Sequence, residues 1–150
     1  MKSILIATDG SPSAQEAVEV GLELAVEQGA DVIFVHVAAP DSFANTRLAS
    51  GRPLPHHEPV DESETALNAA AAAAEEAGVS YTLERISGET VDEIVDVANA
   101  KDVDLIVVGS RGRGTVASAL LGSVSRGVLA SAKRALLVVR GTRVHAGASS

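Results

Sequence analysis

The chain has 150 residues and a formal net charge of −8, with 46% hydrophobic and 2% aromatic residues. This length suits one domain. The acidic balance argues against nucleic acid and anionic membrane surfaces as partners, because both require basic patches. The few aromatic rings also argue against binding of single-stranded nucleic acid. The absence of cysteine excludes disulfides and thiolate sites. Since the first apolar run is too short for a secretory leader and none reaches about 20 residues, we expect a cytoplasmic protein without a membrane span.

The beginning of the chain predicts a β-α-β unit. The apolar run from Lys2 to Thr8 predicts a strand, and Ser11 followed by Pro12 is typical of a helix start. Apolar residues then recur at helical spacing, with glutamates between them, until Gly29 ends the helix. The continuous β-branched run Asp31–Val37 predicts a strand buried on both faces.

The middle of the chain predicts a loop followed by helix, strand and helix. Residues 40–59 contain several prolines and show no periodicity, which predicts a flexible loop. The alanine-rich stretch Val60–Ala77 predicts a helix, because alanine has the highest helix propensity. Tyr81–Ile86 predicts a weaker strand, and the spacing of apolar residues in Thr90–Ala100 predicts another helix.

The last third predicts strand, helix and strand, at Asp104–Val108, Val124–Ala132 and Leu136–Val139. Strands that alternate with helices form a parallel sheet covered on both faces, with right-handed crossovers. We therefore predict a single α/β domain over residues 1–140. The small and polar residues 141–150 predict a disordered tail.

The segment Gly109–Ser123, between the last predicted helix and the strand before it, is rich in glycine. Glycines let the backbone approach a phosphate, and successive N–H groups can form an anion-binding nest. Ser123 opens a helix whose first turn offers unpaired N–H groups and a partial positive charge. The hydroxyls of Ser123 and Ser125 are additional donors. The alternative is that these glycines are turn residues only.

The motif differs from two common phosphate-binding loops. A P-loop requires a lysine, and Gly109–Ser123 contains none. A dinucleotide fingerprint would follow the first strand, where this chain has Asp9-Gly10-Ser11-Pro12. Ligands of doubly wound sheets bind at the carboxyl ends of the strands, where the winding reverses. If the first and fourth strands are neighbours there, Asp9 and Gly109 line one crevice. Alone, Asp9 could equally be a turn cap.

The spacing Gly109-x2-Gly112-x9-Gly122-Ser123 resembles the glycine motif of the ATP-binding members of the universal stress protein family. Asp9 after the first strand matches the same pattern, as do the second and last strands, and the resemblance covers about residues 1–140. It implies a doubly wound five-stranded parallel sheet of order 3-2-1-4-5, of the adenine nucleotide alpha hydrolase-like type. It also implies bound ATP, with AMP or ADP as alternatives and Mg²⁺ as a possible companion.

The resemblance also implies the residues of the site. Asp9 and Val37, with the Val108 backbone, would lie beside adenine and ribose, and the later residues would hold ribose and phosphates. The complete implied set is Asp9, Val37, Val108, Gly109, Gly112, Gly122, Ser123, Val124 and Ser125.

The family also implies a homodimer, and the hydrophobic edge strand Leu136–Val139 is a plausible interface because such edges tend to be paired. One departure is that the family often has proline before this strand, where the chain has Lys133-Arg134-Ala135.

Other polar residues have ordinary explanations. Arg111 and Arg113 either neutralise phosphate or are solvated, as loop arginines usually are. The run from His56 to Glu58 lacks the converging ligands that a metal site needs, so we predict a solvated loop and no metal. His36, inside a buried strand, is expected to be a hydrogen-bonded structural histidine.

A phosphate loop without a catalytic set favours a regulatory stress-response protein that holds nucleotide and hydrolyses it slowly at most. No Ser-His-Asp arrangement is apparent, and we predict no catalytic residues. A true ATP hydrolase or nucleotidyl-transfer enzyme is one alternative, although the Ser-Gly-Gly-x-Asp-Ser loop of such enzymes is absent after the first strand. A nucleotide-free dimeric scaffold, in which the glycines are only turns, is the other.

Overall fold

The computed structural model describes residues 1–38, 62–110 and 122–140. Strands and helices alternate along these residues. In chain order they are β1 (Ser3–Ala7), α1 (Pro12–Gln28), β2 (Asp31–Ala38), α2 (Glu62–Ala77), β3 (Tyr81–Ser87), α3 (Thr90–Ala100), β4 (Leu105–Gly109), α4 (Ser123–Ser131) and β5 (Ala135–Val139). The predicted loop at 40–59 and the predicted tail at 141–150 lie outside the described residues.

All described strands pair in parallel, in the order β3-β2-β1-β4-β5. The predicted doubly wound α/β fold of order 3-2-1-4-5 is therefore confirmed. Strand β5 begins at Ala135 without a preceding proline, and each of its residues from Ala135 to Val139 still pairs with one of β4. The departure from the family pattern at Lys133-Arg134-Ala135 leaves the pairing of this strand intact.

Two helix layers cover the sheet, and the alternation of side chains along each strand decides which layer a residue joins. Ile4 and Ile6 of β1 belong to the core on the α1 and α2 side, whereas Leu5 belongs to the core on the α3 and α4 side. The side chains of all three are fully buried. Burial on both faces explains why the strand sequences are continuously apolar instead of alternating.

Helix α1 begins and ends where its sequence predicts. The Ser11 hydroxyl accepts a hydrogen bond from the Ala14 N–H at 3.2 Å, and Pro12 occupies the first turn, where a missing N–H costs nothing. Gly29 adopts a left-handed conformation with φ of 64° and donates its N–H to the Ala25 carbonyl. The Ser11 cap starts α1 a few residues after β1, and Gly29 ends the helix before β2 begins.

The amino ends of β1 and β4 are joined by Asp104. Its carboxylate accepts hydrogen bonds from the backbone N–H of Lys2 at 2.6 Å and of Ser3 at 3.1 Å. The Asp104 N–H donates to the Ser3 carbonyl at 3.0 Å. The hydrogen bond from the Lys2 N–H, and to a smaller extent that from the Ser3 N–H, holds the pKa of the Asp104 carboxyl below its usual value of 3.8. The ionised carboxylate therefore stabilises the pairing of these two strands.

We expect the Asp104→Asn variant to be less stable than the parent near neutral pH, with a difference that shrinks in acid. A carboxyl whose pKa is lowered by folding contributes fully above its unfolded pKa, and that contribution is lost as the pH falls through the folded pKa. The window thus lies below about pH 4. Urea denaturation across this range measures the effect. The exposed Asp96→Asn serves as control, and a difference for Asp104→Asn that is independent of pH would contradict the assignment.

Candidate functional site

A cleft opens at the carboxyl edge of the sheet between β1 and β4. The chain winds from β1 outwards through β2 and β3 and then returns to the other side of β1 as β4, so the winding reverses here. Such a switch point is the usual ligand position in doubly wound sheets. The cleft has a volume of about 80 Å³. Its lining residues are Ala7, Thr8, Asp9, Ala14, Val35, Val37, Thr90, Ile94, Val108, Gly109 and Val124.

The floor of the cleft is apolar. Val35, Val37 and Val108 project from the strands on the face covered by α3 and α4, and Ile94 and Val124 come from those helices. Small-molecule pockets commonly enclose roughly 300–1,000 Å³. The cleft, at about 80 Å³, is smaller than this, so a larger ligand would extend along its open edge.

The loop between β1 and α1 forms one wall and is fixed by its own hydrogen bonds. Asp9 Oδ1 accepts from the Ser11 N–H at 2.8 Å, and Thr8 Oγ1 accepts from the Gly10 N–H at 3.3 Å. Gly10 has a φ of 79°, which a residue with a Cβ rarely adopts. The turn-capping alternative for Asp9 is thus observed at one oxygen. A carboxylate can accept several hydrogen bonds at once, so the turn and a ligand contact are compatible.

His36 supports the same loop from β2. Its Nδ1 lies 2.9 Å from the Thr8 carbonyl oxygen. Since a carbonyl only accepts, Nδ1 carries the proton and donates it. The Thr8 N–H in turn donates to the Val35 carbonyl at 2.9 Å. The prediction that His36 is a hydrogen-bonded structural histidine is confirmed.

The opposite wall is built where β4 passes to α4. The Ser110 N–H donates to the Val139 carbonyl at 2.8 Å, which continues the β4–β5 ladder. The Ser110 carbonyl then accepts from the Gly122 N–H at 2.6 Å. Ser125 Oγ donates to the Gly122 carbonyl at 3.0 Å and lies 3.4 Å from the Ser110 carbonyl. We call this arrangement of Ser110, Gly122 and Ser125 the serine clasp; it joins the two ends of segment 111–121.

The clasp directs the first turn of α4 toward the end of β4. The first intrahelical hydrogen bond runs from the Arg126 N–H to the Gly122 carbonyl at 3.0 Å. The N–H groups of Ser123, Val124 and Ser125 precede it, and Gly122 offers no side-chain cap. Unpaired first-turn N–H groups and the helix dipole favour an anion at this position.

The predicted site residues fall into three groups. Five of them line the cleft, namely Asp9, Val37, Val108, Gly109 and Val124. Gly122 and the exposed Ser123 lie at the start of α4, whereas Ser125 is 1% exposed and its hydroxyl already serves the clasp, so its backbone N–H is what it can offer a ligand. Gly112, together with Arg111 and Arg113, lies outside the described residues.

Sequence reasoning missed the wall formed by α3. Thr90 and Ile94 line the cleft because the crossover from β3 to β4 lays α3 over the ends of β1 and β2. No local sequence motif marks these two residues. Val35 could have been predicted only from the alternation of side-chain direction along β2. No cluster of potential metal ligands exists within residues 1–38, 62–110 and 122–140. His56, His57 and Glu58 lie outside those ranges.

Gly109 has a packing role beside any role in binding. A Cβ on this residue would lie 2.5 Å from Ser13 Oγ and 2.8 Å from the Ser13 carbonyl carbon and oxygen. The carbonyl carbon and oxygen are backbone atoms of the first turn of α1, and they cannot move without shifting the helix. Glycine is therefore required so that α1 can approach the end of β4.

We expect Gly109→Ala to destabilise the domain by about 1–3 kcal/mol, the usual cost of overpacking. The Ser13→Ala change in the same protein should recover only part of the loss, because the backbone contacts remain. Denaturant unfolding of the two single variants and the double variant measures both effects. Wild-type stability in Gly109→Ala would contradict the close approach.

No helix within the described part of the chain is long and apolar enough to cross a membrane.

Comparison with known proteins agrees with this architecture. A universal stress protein of Methanocaldococcus jannaschii is 34% identical over 93% of this chain and 82% of its own length. Universal stress protein YxiE of Bacillus subtilis is 33% identical over 91% and 97%.

Two solved structures are also similar. A universal stress protein in complex with cAMP is 27% identical, with a TM-score of 0.69 over 94% of this chain and 98% of that one. The fold is shared with a universal stress protein from Archaeoglobus fulgidus at 24% identity, with a TM-score of 0.71 over 93% and 98%. The model of the universal stress protein family matches residues 1–140, and the chain belongs to that family.

Proposed function

We propose that this protein is a cytoplasmic, regulatory stress-response protein that binds an adenine nucleotide in the cleft between β1 and β4. ATP is the proposed ligand, with AMP or ADP as alternatives, and Mg²⁺ would accompany the phosphates. The observation that carries the proposal is an apolar cleft at the switch point, next to a helix N-terminus without a side-chain cap. The cAMP complex of a relative at 27% identity supports it.

The end of β2 offers a suitable edge for adenine. The Val35 carbonyl accepts from the Thr8 N–H on the β1 side, whereas the Ala38 carbonyl accepts from the Gly88 N–H on the β3 side. Since strand hydrogen-bonding groups alternate in direction, the N–H and C=O of Val37 point toward β1, beyond the last residue of that strand. A donor beside an acceptor complements adenine, which presents a ring nitrogen and an amino group on one edge.

The start of α4 would hold the phosphates. We assign the N–H groups of Ser123, Val124 and Ser125 to phosphate oxygens, with Gly109 and Gly112 allowing the backbone to come close. Asp9, at the rim, would accept hydrogen bonds from the ribose hydroxyls with its carboxylate. Because the protein carries a net charge of −8, these backbone groups must attract the anion locally.

The cleft favours holding nucleotide over consuming it. Among its described lining residues, the polar side chains are Thr8, Asp9 and Thr90. One oxygen of Asp9 and the hydroxyl of Thr8 already accept backbone hydrogen bonds. This set lacks the arginine or lysine that phosphoryl transfer uses to stabilise its transition state. We therefore propose slow hydrolysis at most.

Addition of ATP should raise the stability of the protein by about 2.7 kcal/mol when its concentration is about 100 times Kd. The Asp9→Asn variant keeps an oxygen that can accept from the Ser11 N–H, so the turn survives while the charge is lost. We expect its affinity to fall by about tenfold or more, the usual cost of losing a hydrogen bond to a charged group. Denaturant unfolding with and without ATP measures the stabilisation, and isothermal titration calorimetry measures the affinities of the parent and of Asp9→Asn.

Asp96→Asn, on the exposed surface of α3, is the matched control and should bind like the parent. If no adenine nucleotide stabilises the wild-type protein, the proposed function is wrong. Retention of full affinity in Asp9→Asn would instead remove Asp9 from the site.

We further propose that β5 pairs with β5 of a second copy. Leu136, Leu137 and Val138 are only partly buried, and no described strand covers the outer edge of β5. The Val139 carbonyl points toward β4, where it accepts from Ser110, so the backbone N–H of Val138 points outward. An edge of this kind is prone to pair with another strand.

The Val138→Pro variant should therefore be a monomer that retains its fold. Proline removes an outward N–H and leaves the ladder with β4 intact. Sedimentation equilibrium gives the mass, and circular dichroism checks the fold. Val138→Ala, which keeps the N–H, should remain a dimer. An unchanged mass in a folded Val138→Pro protein would refute this interface.

A further inference from the structure

Thr90 lies on the wall of the cleft that sequence reasoning missed. It is half-buried in the first turn of α3 and lines the same cleft as Val37. The Gly88 N–H donates to the Ala38 carbonyl at 3.1 Å, which fastens the chain two residues before Thr90 to the residue after Val37. Thr90 and the open end of β2 are thus held side by side.

The Thr90 hydroxyl differs from the other polar side chains of the cleft. Thr8 Oγ1 and Asp9 Oδ1 accept hydrogen bonds from the loop that carries them. The Thr90 hydroxyl makes no hydrogen bond to another residue within the described ranges. In those ranges every fully buried side-chain polar atom has a partner, so this hydroxyl must reach open space. It is a polar group available to a ligand at the edge of an apolar floor.

Building on the proposed function, we infer that the Thr90 hydroxyl accepts a hydrogen bond from the 6-amino group of the bound adenine. That group has two N–H donors. The Val37 carbonyl is placed to accept one, and the second needs an acceptor from another element, since an unpaired donor in an apolar cleft is costly. Among the described lining residues, Thr90 is a side chain beside Val37 that can provide it. It therefore selects purines that carry an amino group at position 6.

The test combines side-chain variants with a ligand that lacks the amino group. Thr90→Val removes the hydroxyl at nearly constant shape, whereas Thr90→Ser retains it. We expect Thr90→Val to weaken ATP binding about tenfold and Thr90→Ser to change it less than about threefold. Toward purine riboside triphosphate, which has hydrogen at position 6, Thr90→Val and the parent should have equal affinity, because neither can make the contact.

Each result decides between separate claims. Equal ATP affinity of Thr90→Val and the parent overturns the role of Thr90 while nucleotide binding stands. An equal loss for both ligands also overturns it, because Thr90 would then act on the shape of the cleft and not on the amino group. If the parent binds neither ligand, the proposed function fails together with this inference. Melting temperatures without ligand check the fold. If Thr90→Val unfolds, Thr90→Ala, which also lacks the hydroxyl, replaces it in the comparison of the two ligands.

Discussion

The complete enclosure of β1 is the constraint on which the rest of the structure depends. This strand has β2 on one side and β4 on the other, and its central residues Ile4, Leu5 and Ile6 are buried on both faces. A strand so enclosed can meet solvent only at its ends. Asp104 closes the amino end, where its carboxylate accepts from the backbone of Lys2. The carboxyl end stays open and forms the cleft between β1 and β4.

The cleft at that end has an apolar part and a polar part. Val35, Val37 and Val108 form an apolar surface that favours a ring by burial. The loop after β1 and the first turn of α4 supply backbone hydrogen-bonding groups around it. Because the proposed recognition would rest on the backbone, it is compatible with an overall charge of −8. It also explains why the motif consists mainly of small residues, which keep the backbone accessible.

The elements of this fold could be predicted because their signals are local. Ser11, Pro12 and Gly29 mark the ends of α1, and continuous apolar runs mark strands buried on both faces. The strand order came from the family resemblance, and the paired strands agree with it. Asp9 and Gly109 line one cleft because Asp9 follows β1 and Gly109 ends β4, and both strands end at the switch point.

What escaped prediction depends on contacts distant in sequence. Thr90 lines the cleft because the crossover from β3 to β4 places α3 there. Glycine is needed at position 109 because Ser13 of α1 lies against it. The buried hydroxyl of Ser125 serves the chain itself, a role that a motif cannot reveal. In each case the sequence indicates the residue type, whereas the partner exists only once the domain is folded.

The serine clasp has a consequence for how this domain can vary. The residues that flank segment 111–121 are joined directly, because the Ser110 carbonyl accepts a hydrogen bond from the Gly122 N–H. The entropy of closing a loop grows only slowly with its length once the ends are held. Insertions and substitutions within the segment therefore need not move α4 or the sheet. Sequence changes in this segment can therefore accumulate while the scaffold stays the same, as long as the backbone contact between Ser110 and Gly122 and the hydroxyl of Ser125 are kept.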